Sequence, residues 1–71
     1  MTNIHSFKHT SKVQVREASE LGFKPGQWPE SFRFGINNVL FERVSVETDN
    51  DGDVICVNYV WGSTKFVVLN D

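Results

Sequence analysis

The run Asp49-Asn50-Asp51-Gly52-Asp53-Val54-Ile55-Cys56-Val57-Asn58-Tyr59-Val60-Trp61-Gly62-Ser63 decides the fold. Its first four residues are turn formers, because Asp and Asn bond their own backbone and Gly accepts a positive φ. Asp53 to Trp61 then reads as a strand. Ile55, Val57, Tyr59 and Trp61 fall on one face, and Val54, Cys56, Asn58 and Val60 on the other. Two largely apolar faces predict a central strand, or one that curves through a small barrel. Gly62-Ser63 is a two-residue hairpin signal of the primed type.

Working outward, Thr64 to Asn70 completes that hairpin as the last strand. On the other side, Val39 to Thr48 is the longest strand candidate. Its phase breaks: Val39 and Phe41 share one face, whereas Leu40, Val44 and Val46 share the other. A bulge near Glu42-Arg43, or burial of both faces at one end, reconciles the halves. Gly35-Ile36-Asn37-Asn38 supplies a turn before it, and Ser31-Phe32-Arg33-Phe34 alternates as a further strand. Phe23 to Glu30 is a connector. Lys24-Pro25-Gly26-Gln27 fits a type II turn, and Pro29 biases Trp28 towards extended backbone. Lys12-Val13-Gln14-Val15-Arg16 alternates as a half-buried strand with Val13 and Val15 inward, followed by one helical turn near residues 17–21. A rival reading runs a helix from Thr10 or Ser11 to a Gly22 cap.

The expected architecture is mostly β. It is a small antiparallel meander of about five strands, bent or closed as a small SH3-like barrel. Residues 1–10 form a flexible N-terminal arm, and residues 11–71 form one β domain. Composition supports this. Val, Ile, Phe, Tyr, Trp and Thr number 26 of 71, against 5 for Ala, Leu and Met, a balance that favours a pleat over a helix. Leu, Ile, Val and Phe make up 31% of the chain, too much for a disordered segment.

Net charge is −2, which disfavours a broadly basic nucleic-acid binder. A single cysteine excludes an internal disulfide, and Cys56 reads as a small buried apolar residue. The first ten residues lack a secretory apolar core, and apolar runs are far shorter than the roughly 20 residues a spanning helix needs. The expectation is a soluble, cytoplasmic chain of the kind found among compact bacterial or phage accessory proteins.

Chemistry-bearing patterns are sparse. Glu47, Asp49, Asp51 and Gly52 match positions one, three, five and six of a calcium loop, but position twelve is Asn58. An Asp-rich hairpin tip is the plainer reading, and a weak calcium module at residues 47–53 is the alternative. His5 and His9 have helical metal spacing without a third ligand nearby. Serines lack a nucleophile elbow and glycines form no phosphate loop. The expected protein is therefore not an enzyme, with no catalytic residues, no metal site and no cofactor.

The aromatics and their basic neighbours carry the functional expectation. Trp28, Tyr59 and Trp61, rimmed by Arg33 and Arg43, have the composition of a protein-binding hot spot. The same set fits a platform for single-stranded nucleic acid. The competing reading makes both tryptophans plugs for the open ends of a barrel. Protein–protein interaction is the first choice, single-strand nucleic-acid binding the alternative, and no membrane is involved. An unpaired outer strand, at Val13–Arg16 or Thr64–Leu69, would also let a second copy form a homodimer by edge pairing or accept a partner strand.

Overall fold

A computed structural model describes residues 12–70. The expected N-terminal arm, with His5 and His9, lies outside the described residues. Five strands form one sheet: β1 (Lys12–Glu17), β2 (Ser31–Phe34), β3 (Val39–Thr48), β4 (Val54–Trp61) and β5 (Thr64–Leu69). Their order across the sheet is β1-β5-β4-β3-β2. Strands β2 to β5 are the antiparallel meander read from the sequence. β1 departs from it by pairing parallel to β5, Lys12 beside Thr64 through Glu17 beside Leu69. The sheet is thus mixed, and it curls into a half-barrel.

The curl is visible in the rings. Phe32 of β2 lies with its ring centroid 5.2 Å from that of Phe66 in β5, although two strands separate them in the sheet. Phe32 is the hub of the core. It also meets Tyr59 edge-on at 4.7 Å, Phe23 at 5.4 Å and Phe41, stacked, at 5.7 Å. These separations are those at which aromatic quadrupoles attract. Phe66, Val57, Val68 and Tyr59 are fully buried around it.

The register assigns each strand's faces. Tyr59 opposes Phe66 and Val57 opposes Val68, so these line the inner face. β4 is buried from Cys56 to Tyr59, on both faces, as its two apolar faces predict for a central strand. The phase break in β3 is a bulge, with a register shift between Arg43 and Ser45. Val44 is the extra residue.

Val13 and Val15 do not point inward as expected. The parallel register sets Gln14 beside Phe66 and Arg16 beside Val68 on the inner face, which turns both valines outward. They are 57% and 48% exposed. Alternation identifies which residues share a face, but the pairing partner decides which face meets the core. Thr64–Leu69 is likewise not an outer strand, because β1 covers it.

Between β1 and β2 the chain makes one 3-10 turn, Ala18–Leu21, ended by Gly22 at φ 77°. Gly22 N–H donates to Ser19 O, and Phe23 N–H to Ala18 O. This combines the strand reading with the glycine cap of the rival helix. The connector then packs Leu21, Phe23 and Trp28 against the core on its way to β2. Its Pro25-Gly26 turn closes through Gln27 N–H to Lys24 O at 2.9 Å.

Candidate functional site

The five residues expected to form a contact surface do not form one patch. Tyr59 is core: its ring is fully buried and its hydroxyl donates to Pro29 O at 2.7 Å. Burial raises the phenol above its ordinary value, and the nearby Arg43 charge opposes that rise. Arg43 is a fastener for the connector. Its guanidinium donates to Trp28 O at 2.6 Å, and its backbone N–H donates to Glu30 O at 2.8 Å. Trp28 is half-buried and lines a depression with Gly22, Phe23, Lys24, Gln27 and Pro29. Arg33 sits on the outer face of β2, where its guanidinium donates to Asn38 O at 3.1 Å across the β2–β3 turn.

Trp61 is different. It ends β4 at the lip of the β4–β5 hairpin and is 53% exposed. Its pairing with Thr64 puts it on the inner face, at the end where the half-barrel stays open. There it lines a groove of about 310 Å³ with Lys12, Gln14, Phe34, Ile36 and Phe41. Ile36, at the tip of the β2–β3 hairpin, is fully solvent-exposed. Asn38 holds that hairpin closed with a left-handed backbone, φ 55°, its N–H donating to Gly35 O. The groove floor is therefore aromatic, its two lips are apolar hairpin tips, and its third side is the inner face of β1. Such a shape receives one apolar side chain with polar backbone around it.

The sequence reading missed Ile36. An apolar residue inside a run of turn formers was the available signal. It also missed the polar cluster on the outer face. Asn58, 2% exposed, donates from Nδ2 to Ser45 Oγ at 3.0 Å and to Glu47 Oε2 at 2.7 Å. Its Oδ1 is buried without a partner among the described residues. Cys56 is buried beside it, and its thiol is held above the ordinary range by burial, then by the Glu47 carboxylate, which also accepts its hydrogen bond.

The acidic tip closes on itself. Asp49 Oδ1 accepts from the N–H groups of Asp51 and Asp53, at 2.9 and 3.0 Å. The Asp49, Asp51 and Asp53 carboxylates gather within 4.8 Å and are exposed, while Glu47 turns to Asn58 instead of joining them. The turn chemistry accounts for this cluster. No helix among the described residues is long and apolar enough to cross a membrane. Comparison with known proteins yields no match among family models, curated proteins or solved structures.

Proposed function

We propose that this chain is a non-enzymatic binding module that docks to another protein through the groove between Trp61 and Ile36. One observation carries the reading: Trp61 and Ile36, two large apolar side chains on neighbouring hairpin tips, stand exposed around an aromatic floor. The core takes in six of the other rings, since Phe23, Phe32, Phe34, Phe41, Tyr59 and Phe66 make one ring cluster. Exposed apolar side chains converging on a concavity mark interaction sites, and Trp is enriched among interface hot spots. The nucleic-acid alternative has less support. Trp28 and Trp61 line separate depressions, and Tyr59 offers no exposed ring face for a base to stack on.

The test is selection of peptides from a random display library on the full chain, with counter-selection on Trp61→Ala. The expected result is a set of apolar-containing peptides that bind the wild-type chain and not the variant, with the melting temperature of the variant nearly unchanged. Peptides that bind both chains equally would remove Trp61 from the site. Salt-reversible capture of single-stranded oligonucleotides at the Trp61 indole would move the reading to nucleic acid.

A further inference from the structure

We propose that the open side of β1 is a strand-addition edge whose occupant is an extended segment of another protein, patterned acidic–apolar–x–apolar–acidic. The inference rests on the protein-binding reading above and specifies the partner's chemistry. Among the described residues β1 has a neighbour on one side only. Two side-chain bonds mark its other side. Arg16 Nη1 donates to Val15 O at 2.9 Å, and Glu20 Oε1 accepts from Glu17 N–H at 3.0 Å. In a parallel ladder alternate residues turn both backbone groups to the same side. Val15 and Glu17 therefore face away from β5, and Val13 with them. Arg16 and Glu20 stand where the backbone of an added strand would bond.

The flanking side chains say what that strand carries. On the outer face Val13 and Val15 are exposed and ask for apolar neighbours. On the inner face Lys12 and Arg16, four residues apart, match two carboxylates at the same spacing. The added strand would displace the Arg16 guanidinium from Val15 O, and a carboxylate would compete for it with Gln14 Oε1 and the Phe34 ring face. Between them Gln14 lines the groove with Trp61, so the central residue of the added strand points into it. A second copy of this chain fits poorly in the register that pairs both valines. Antiparallel self-pairing that sets Val13 against the second copy's Val15 also sets Lys12 against the second copy's Arg16, and like charges directly opposite destabilise a pair. Carboxylates at those two positions reverse the sign.

The experiment is an NMR titration of the full chain with a capped peptide containing Asp-Val-Phe-Val-Glu, up to millimolar concentration. Expected are shifts and slowed hydrogen exchange at the Val13 and Val15 amides, together with movement of the Trp61 indole. The peptide with both acids replaced by lysine should bind weaker by roughly tenfold. Val15→Pro should fold, because proline is tolerated where an edge N–H faces outward, yet lose the peptide. Should that variant not fold, peptides N-methylated at alternate amides replace it, and the register that bonds β1 should lose binding. Movement of the indole with unchanged β1 amides would overturn strand addition and leave the groove reading standing. No shift at either place would overturn the proposal, leaving the groove to the display experiment. Equal binding of the lysine peptide would overturn the assigned chemistry. Protection of Val13 and Val15 that grows with protein concentration alone would give the edge to a second copy and overturn it too.

Discussion

The Tyr59 hydroxyl donates to the Pro29 carbonyl across 2.7 Å, tying the central strand to the end of the connector 30 residues earlier. Arg43 makes the second tie, to Trp28 O, from the neighbouring strand. Together they hold the connector over the open side of the half-barrel. Tyr59→Phe keeps the ring and removes the tie. The expected loss is about 0.5–1.5 kcal/mol of stability. Denaturant titration measures that loss. Trp28 emission should change in the folded variant, while Trp61, at the open end of the half-barrel, should report an unaltered environment.

Removing a core ring is a larger matter. Phe66 is fully buried and meets Phe32, Phe34 and Phe41 at 5.2, 4.9 and 5.0 Å. Phe66→Ala should cost about 3–5 kcal/mol. A chain of 71 residues has roughly 4–11 kcal/mol in all. The variant should therefore melt near or below room temperature by circular dichroism, whereas Trp61→Ala, at a half-exposed position, should leave the melt nearly in place.

Alkaline pH should unfold the domain through two buried acids. Burial lifts the Cys56 thiol above its ordinary 9.0 and the Tyr59 phenol above its ordinary 10.0. The unfolded chain therefore releases these protons first as pH rises. Fewer protons bound in the unfolded state means stability falls with pH. It should be level with respect to these groups below about pH 9 and decline as pH passes first one ordinary value and then the other. Tyr59 is the single tyrosine, so tyrosinate absorbance reads its ionisation directly. The signal should appear together with loss of the fold, and Cys56→Ala should delay the onset of the decline.

Asn58 presents a different balance. Its Nδ2 is satisfied by Ser45 and Glu47, but Oδ1 is buried unpaired, a cost of about 1–3 kcal/mol. Ser45 and Glu47 are exposed and can return to water. Asn58→Val removes the orphan and suits a strand. It should leave stability unchanged or raise it by about 1 kcal/mol, measured by the denaturation midpoint. A loss of several kcal/mol would mean that Oδ1 has a donor in solution.

Much of the architecture was legible because turn chemistry and alternation act locally. The Asp49–Gly52 turn, the Pro25-Gly26 turn, the Gly62-Ser63 hairpin and the bulge in β3 are each dictated by a few adjacent residues. The central position of β4 followed from its two apolar faces. What escaped depended on partners distant in the chain. Val13 and Val15 alternate correctly, yet only the pairing of β1 with β5 decides that they face outward. Tyr59 and Trp61 share a face and differ in fate, because the connector covers one and the groove leaves the other open. Arg43 looked like a rim cation and serves as a tie, since its acceptor is a backbone carbonyl that composition does not reveal.

The parallel β1–β5 pairing has a kinetic consequence. Lys12 waits for Thr64 and Glu17 for Leu69, so the first strand finds its place only when the last is available. Closing so long a loop costs entropy before any contact rewards it. Non-local topologies of this kind fold slowly for their size. The β2–β5 meander can assemble first, with the side of β5 that β1 will cover still unpaired. During that interval the exposed β5 edge is where two folding chains would join by mistake. Refolding yield should therefore fall as protein concentration rises, even under conditions where the native state is stable.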